Sequence, residues 1–262
     1  MRMAVAQFDV TEDKEANRAA IGDLTARAAR QGAELVLFPE YAMTWSARPT
    51  ADGLRAEAEA LDGPFATALG SLAREHQITV VAGMTEATGE RPANTVVIAG
   101  PDGTRAGSYR KVHLYDAFGD RESDRLIAAP PEAMVLPVGD LTVGVMTCYD
   151  LRFPEMGRFL VDAGADVLLV PAAWMAGPGK MAHWEVLVRA RALENTSYVL
   201  AAGQCGRYRT GRSLAVDPSG EILASLDEEP DVAVVDVEAA TIEAVRHRNP
   251  SLANRRFDVV PR

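Results

Sequence analysis

Three side chains that could act together in catalysis lie far apart in the sequence: Glu40, Lys111 and Cys148. Each follows or ends a run of residues typical of a β-strand, namely ELVLFP, GSYR and LTVGVMT. Because ligands collect at the carboxyl ends of strands in open α/β sheets, we expect the three side chains to converge on one pocket.

These residue types fit the hydrolysis of an amide through a thioester. A cysteine thiol, with an ordinary pKa near ~8.5, needs a base or a nearby cation to become a nucleophile. Burial in an apolar pocket raises the pKa of a carboxyl group toward neutrality and suits it to proton transfer, which makes Glu40 the expected general base and acid. Lys111 and the backbone N–H of Tyr149 could stabilise the oxyanion of a tetrahedral intermediate.

Each of these residues also has an ordinary structural explanation. Free cysteine is among the most buried residue types, so Cys148 alone could be a packing residue. Glu40 and Lys111 alone could be surface charges at strand ends. His113 could serve as a papain-like base, but strand alternation only places it on the same face as Lys111, and a supporting or core role is the expected one.

A family resemblance joins the three residues. The segments GAELVLFPE, SYRKVHLYD and TCYDLRFPE resemble, in order and separation, the three signature blocks of the nitrilase superfamily of carbon-nitrogen hydrolases, and the likeness continues to VDPSGEIL. The resemblance implies a Glu40–Lys111–Cys148 triad and an αββα sandwich that pairs into homodimers through its helices. It also implies that Glu122, in GDRESD, is a second glutamate that holds Lys111 and helps to position the substrate.

The residues after the cysteine indicate a branch of the superfamily. CYDLRFPE resembles the amidase members, including the omega-amidase and deaminated-glutathione amidase group, whereas nitrilases typically carry Trp-Glu after the cysteine. We therefore predict hydrolysis of a small linear carboxamide to a carboxylate and ammonia. The alternatives are a nitrilase or an N-carbamoyl amine hydrolase on the same triad, and a catalytically silent binding protein on the same fold.

Further residues near the triad could bind substrate or support the site. Tyr41, Tyr149 and Trp174 are the predicted substrate-binding residues, although Tyr41 and Trp174 could equally serve core packing. Asp150, Arg152 and Glu155 could form an ion-pair network around the Cys148 turn. Their alternative role is as the charged start of a helix with a proline in its first turn.

No cofactor or metal is expected. GPGKMA, residues 177–182, fits a G-x-G-x-x-A pattern, but Pro178 interrupts it and it does not open an early βαβ unit. Met181 stands where a phosphate-binding Walker loop needs Ser or Thr. The four histidines, His76, His113, His183 and His247, have no metal-binding spacing.

The elements that must position the triad alternate along the chain. Apolar runs of strand length alternate with helical patterns, and two strand pairs read as hairpins, one around Pro101–Gly103 and one around Gly139 and Asp140. About a dozen strands would make one sheet very wide, so we predict an α/β fold with a four-layer αββα sandwich of two mixed sheets covered by helices. The helices are predicted at Thr11–Gln31, Leu61–His76, Phe153–Ala163, His183–Thr196 and Ala239–His247.

The length, net charge and cysteine content of the chain bear on its domain organisation, its partners and its location. A chain of 262 residues suits one carbon-nitrogen hydrolase domain, 1–262, with the tail 246–262 as an interface arm. A net charge of −10 disfavours nucleic acid as a partner. The absence of a long apolar run argues against a membrane, and only two cysteines are compatible with a reducing compartment, so we expect a cytoplasmic protein that binds a small molecule.

Overall fold

Strands and helices alternate through most of the chain, and the computed structural model describes all residues, 1–262. The strands are β1 (Arg2–Gln7), β2 (Leu35–Leu37), β3 (Thr79–Glu86), β4 (Ala93–Ala99), β5 (Arg105–Arg110), β6 (Val135–Val138), β7 (Leu141–Val145), β8 (Val167–Ala172), β9 (Tyr198–Gly203), β10 (Leu214–Val216), β11 (Ile222–Ser225) and β12 (Asp231–Asp236). The helices are α1 (Lys14–Arg30), α2 (Ala51–Glu57), α3 (Pro64–His76), α4 (Pro154–Asp162), α5 (Lys180–Asn195) and α6 (Ala239–Arg248).

The strands form two sheets of six. The first has the order β12-β1-β2-β3-β4-β5 and the second the order β11-β10-β9-β8-β7-β6. Parallel pairing joins β1, β2 and β3 in the first sheet and β7, β8 and β9 in the second, while the outer pairs are antiparallel. Both sheets are therefore mixed, as predicted.

Side-chain alternation packs the two sheets face to face. On β1, Met3 and Val5 belong to the apolar core shared with the second sheet, whereas Ala4 and Ala6 belong to the core beneath α1 and α3. α4 and α5 cover the outer face of the second sheet. The arrangement confirms the predicted four-layer αββα sandwich and buries both faces of each sheet.

The helices begin where capping residues and prolines allow. The Asp13 side chain accepts hydrogen bonds from the N–H groups of Glu15 and Ala16, so α1 starts at Lys14, not at the predicted Thr11. α3 starts at Pro64, three residues later than predicted, because proline suits the first turn of a helix. α5 starts three residues earlier than predicted, and α2 was not predicted at all.

The two predicted hairpins are present and confirmed. β4 and β5 pair across a turn that includes Gly103, at φ +81°, and β6 and β7 pair across Gly139 and Asp140. Gly139 adopts φ +61°, a left-handed conformation that suits a two-residue hairpin turn.

After α6 the chain continues as a tail with neither helix nor strand. Arg255 in this tail forms an ion pair with Asp162 of α4, and the Phe257 side chain is almost fully exposed. The expectation that the tail is an interface arm stays a prediction. No helix in the protein has the length and apolar character that crossing a membrane requires.

Candidate active site

The predicted catalytic residues line one cavity of about 630 Å³. Glu40, Lys111, Glu122 and Cys148 all contribute to its wall, although the sequence separates Glu40 from Cys148 by more than a hundred positions. A cavity of this size is in the usual range for small-molecule sites. The structure therefore brings these four side chains together in one cavity.

Lys111 lies between two buried carboxylates. It directly follows β5, and its Nζ donates hydrogen bonds to Oε1 of Glu40 at 2.8 Å and to Oε2 of Glu122 at 3.0 Å. Burial alone would lower the pKa of Lys111, but the carboxylates of Glu122 and Glu40 raise it well above the ordinary value. The ammonium therefore remains charged although its side chain is only 2% exposed.

Glu40 is held by groups from both sheets. Its Oε1 also accepts a hydrogen bond from Nδ2 of Asn94 on β4 at 2.7 Å, and its Oε2 accepts from the N–H of Ala173, just past β8, at 2.7 Å. The backbone around Glu40 is packed so closely on Gly83 that a Cβ there would lie 2.7 Å from the Glu40 Cα. The carboxylate consequently has little freedom to leave its position.

Glu122 occupies a short 3₁₀ helix, Glu122–Asp124, at the same cavity. Its carboxylate accepts hydrogen bonds from the Tyr41 hydroxyl, from the Tyr115 N–H at 2.6 Å and from Lys111. Burial alone would raise the pKa of Glu122, but the Lys111 ammonium and these hydrogen bonds lower it below its ordinary value. Glu122 is therefore ionised and helps to hold Lys111.

Cys148 lies on a tight turn, not at a strand end as the sequence predicted. β7 ends at Val145, and Cys148 begins a 3₁₀ helix, Cys148–Arg152, with φ +48°. A positive φ is uncommon for a residue with a Cβ, and it directs the chain sharply away from the strand. Burial and the Glu40 carboxylate raise the pKa of the Cys148 thiol well above its ordinary value, and Lys111 offsets part of that effect.

The raised pKa of Cys148 gives the first prediction. Below its pKa, the thiolate fraction of a thiol rises tenfold per pH unit, so the rate at which iodoacetamide labels Cys148 should keep rising with pH to at least about pH 9. Peptide mass spectrometry of timed samples measures this rate. Cys205 is the internal control, because it is also buried and lies outside the cavity, so the reagent should reach it more slowly. A rate that levels off below about pH 7 would instead show a thiolate already formed beside Lys111.

A buried carboxylate ties the Cys148 turn to the Lys111 strand. Asp150 accepts hydrogen bonds from the Tyr109 hydroxyl and the Thr147 N–H, each at 2.7 Å, and from the His113 N–H at 3.0 Å. Its Oδ1 also lies 2.7 Å from Nδ1 of His113. These partners flank Lys111 on one side and Cys148 on the other, so Asp150 fixes the distance between the two loops.

This arrangement assigns His113 and corrects one expectation. His113 stacks on Phe153, with ring centroids 3.7 Å apart, and faces Asp150, which supports the structural role over that of a papain-like base. Of the two roles left open for Asp150, Arg152 and Glu155, the ion-pair network is not formed. Asp150 bonds to uncharged donors and His113, Arg152 lies over aromatic rings, and Glu155 is exposed in the first turn of α4.

The three predicted substrate-binding residues all line the cavity. The Tyr41 hydroxyl is occupied by Glu122, Tyr149 packs edge-on against Phe153, and Trp174 packs against Trp184 with centroids 5.3 Å apart. Each therefore combines a wall of the cavity with a packing role.

Sequence reasoning did not identify several polar groups of the site. Asn94, the Ala173 N–H and Gln204, whose side chain donates to the Glu40 carbonyl at 2.7 Å, all hold Glu40 in place. Asn94 could have been noticed as an amide at the start of the apolar run NTVVIA. A backbone N–H leaves no such signal.

Comparison with known proteins shows the family of the chain. Residues 2–247 match the carbon-nitrogen hydrolase family. A Mycobacterium tuberculosis protein named as a hydrolase is 40% identical over 97% of this chain and 95% of its own. A protein of Escherichia coli O157:H7 named deaminated glutathione amidase is 37% identical over 98% of each chain.

A solved structure extends the likeness to the fold. A mutant amidase from Nesterenkonia sp. AN1, in which acrylamide has added to the active-site cysteine, is 31% identical and has a TM-score of 0.78 over 95% of this chain and 99% of its own. These matches cover nearly the whole sequence, and the relatives are named as hydrolases and amidases. The chain therefore belongs to the carbon-nitrogen hydrolase family and is, like these relatives, an amidase-type hydrolase of carbon-nitrogen bonds.

Proposed function

We propose that the protein hydrolyses a small linear carboxamide to a carboxylate and ammonia through a thioester on Cys148. The observation that carries this proposal is the buried cluster in which Lys111 donates to both Glu40 and Glu122 beside the Cys148 thiol. The cluster contains a nucleophile, a proton acceptor and a cation, which are the three parts that amide cleavage by a thiol requires.

In the first half-reaction, the thiol is neutral because its pKa is raised, so it must lose its proton during attack. Glu40 takes this proton while Sγ bonds to the amide carbon, and the C=O bond becomes an oxyanion. Lys111 and the Tyr149 N–H stabilise that oxyanion. Glu40 then gives the proton to the amide nitrogen, the C–N bond breaks, and ammonia leaves a thioester on Cys148.

In the second half-reaction, Glu40 takes a proton from a water molecule while the oxygen of that water attacks the thioester carbon. The C–S bond breaks, the proton returns from Glu40 to Sγ, and the product leaves as a carboxylic acid that loses its own proton in solution. Glu122 stays ionised throughout, since its pKa is lowered, and keeps Lys111 charged and in place. Tyr41, Tyr149 and Trp174 form walls against which the substrate packs.

The relatives favour an amide over the other substrates that this triad could cleave. Proteins named deaminated glutathione amidase match at 35–38% identity over 88–98% of this chain, among them sequences from Escherichia coli, Synechocystis and Bos taurus. This supports an amide over a nitrile or an N-carbamoyl amine.

The test compares three substrates that differ at the cleaved bond. With butyramide, butyronitrile and N-carbamoyl-β-alanine, we expect ammonia release from the amide at a kcat/KM at least about tenfold above the other two. An assay for carbon dioxide separates the third, since only a carbamoyl group releases it. Faster turnover of the nitrile or the carbamoyl compound would overturn the amide assignment. Turnover of no amide by folded protein would point to the catalytically silent alternative.

A further inference from the structure

One wall of the cavity is formed by a segment that adds nothing to either apolar core. Seven of the twelve residues from 46 to 57, a stretch that includes α2, line the same cavity as Glu40 and Cys148. None of the twelve is buried, and none of their apolar side chains packs on either core. Unlike the strands that carry the catalytic residues, this 46–57 segment is therefore not held in place by apolar packing.

The polar groups of the 46–57 segment bond among themselves. The Thr50 hydroxyl caps α2 by accepting from the Gly53 N–H, and Asp52 pairs with Arg55 at 3.7 Å. A Cβ added to Gly53 would meet nothing but the Thr50 hydroxyl within 4 Å, so no other part of the protein lies close on that side. From 46 to 56, no hydrogen bond or ion pair reaches a residue outside 46–58. The segment is thus attached to the rest of the protein only through its two ends.

Both ends of the 46–57 segment are fastened to the start of α1. Directly before the segment, the Trp45 N–H donates to the Thr11 carbonyl at 3.0 Å. At its last residue, Nζ of Lys14 donates to the Glu57 carbonyl at 2.6 Å and also to the Glu59 carboxylate at 2.7 Å. Thr11 and Lys14 are only three positions apart, so the two attachments lie close together, as in the Ω-loops that often carry function.

The chain is firmly held on either side of these attachments. Before the segment, the Met43 N–H donates to the Gly83 carbonyl of β3 at 3.2 Å. After it, the Glu59 N–H donates to the Thr85 carbonyl of β3 at 3.1 Å, and the Glu59 carboxylate accepts from the Phe65 N–H at 2.7 Å. Movement of the 46–57 segment can therefore occur without disturbing the sheet below it.

From these contacts we infer that the 46–57 segment is a movable lid, which swings on its two attachments to admit molecules to Cys148 and to release them. Segments with few buried apolar contacts open at a low cost in free energy, and the opening of such lids limits turnover in many enzymes. Lys14 is the hinge residue, since it ties down the end of the lid but does not line the cavity. Its replacement should change the movement of the lid without removing a contact to substrate.

Hydrogen–deuterium exchange of the whole protein, read by peptide mass spectrometry, measures this movement. Backbone amides of the 46–57 segment should exchange at least about tenfold faster than those of α6, a surface helix anchored by the buried Ile242 and Val245. Lys14→Met removes both donated bonds and should speed exchange in the segment by about threefold or more. Arg18→Met is the matched control, because Arg18 lies on the same helix, pairs only with Glu15 and touches neither attachment.

Labelling of Cys148 measures access to the cavity. Pyrenylmaleimide is bulky and needs an open lid, whereas iodoacetamide is small enough to enter a cavity of about 630 Å³. At one fixed pH, Lys14→Met should raise the labelling rate with pyrenylmaleimide by about threefold or more relative to the rate with iodoacetamide. Arg18→Met should leave this ratio unchanged.

The wild type alone can overturn the inference, since amides of the 46–57 segment that exchange as slowly as those of α6 would exclude a lid. Equal effects of Lys14→Met and Arg18→Met on exchange and on labelling would also overturn it. Neither measurement depends on the bond that the enzyme cleaves. If folded protein cleaves no amide but Lys14→Met changes exchange and labelling as expected, the amidase function fails and the lid stands.

Discussion

Cys148→Ala is expected to lower kcat for amide hydrolysis by at least about 10⁴-fold, because no other group in the cavity can form the covalent intermediate. The change removes one sulfur atom and keeps a Cβ, so alanine meets the same backbone strain at φ +48° as cysteine does. Thermal unfolding should therefore change little. Initial-rate measurements of ammonia release, with circular dichroism to verify the fold, test this prediction.

Cys205→Ala is the matched control for this variant. Cys205 is the only other cysteine, is also buried, and does not line the cavity. Its replacement should leave kcat within about twofold of the wild type. Retention of more than about 1% of the activity by Cys148→Ala, or a comparable loss in Cys205→Ala, would contradict the assignment of Cys148 as the nucleophile.

Glu40→Gln is expected to lower kcat by about 10³-fold or more, since a side-chain amide cannot accept the thiol proton. Glutamine also misfits the site although it has the same shape. Both carboxylate oxygens accept hydrogen bonds, from Asn94 and Lys111 on one side and from the Ala173 N–H on the other. An NH₂ group on either side would face a donor, which should cost about 1–3 kcal/mol of stability.

An activated ester tests directly whether Glu40→Gln has lost the hydrolysis of the thioester. Glu40→Gln removes a carboxylate that raises the pKa of Cys148, so at high pH the thiol should lose its proton to solvent and attack p-nitrophenyl butyrate. The p-nitrophenolate then leaves without an acid, whereas hydrolysis of the thioester still needs Glu40 as base. Intact-protein mass spectrometry should show a butyryl group that persists in Glu40→Gln and turns over in the wild type. A variant that hydrolyses this adduct as fast as the wild type would show that another base serves.

Glu86→Gln controls for the loss of any buried carboxylate. Glu86 is the last residue of β3 in the first sheet, where it accepts hydrogen bonds from Arg110 and Thr95, and it does not line the cavity. This variant should lose stability while its kcat stays within about threefold of the wild type. The comparison separates the chemical role of Glu40 from the general cost of breaking a buried ion pair.

The number of strand-like runs was enough to predict the layers of the fold, because about a dozen strands would make a single sheet very wide. On β1, apolar residues fill both faces, Met3 and Val5 on one and Ala4 and Ala6 on the other, which indicates a strand covered on both sides. α2 escaped prediction because none of its residues is buried, so it has no apolar stripe to mark it. Its start at Ala51 depends on the Thr50 side chain, which accepts from the Gly53 N–H at 3.0 Å.

The site was predictable only where chemistry leaves a mark in residue type. Glu40, Lys111 and Cys148 each follow or end a strand-like run, and the family resemblance of the segments around them joined the three into one predicted site. The turn at Cys148 could not be predicted. The strand-like run LTVGVMT continues two residues past the end of β7, and a positive φ at cysteine has no sequence signal. The Ala173 N–H and the Gln204 side chain, which both hold Glu40, have no such mark and are found only in three dimensions.

The pairing of β1 with β12 has a consequence for synthesis on the ribosome. β1 (Arg2–Gln7) borders β2 on one side, but its other side is completed only by Asp231–Asp236, more than two hundred residues later in the chain. Until then its free edge can pair with another nascent chain. A chaperone that covers this edge until β12 has been made would therefore raise the yield of folded protein.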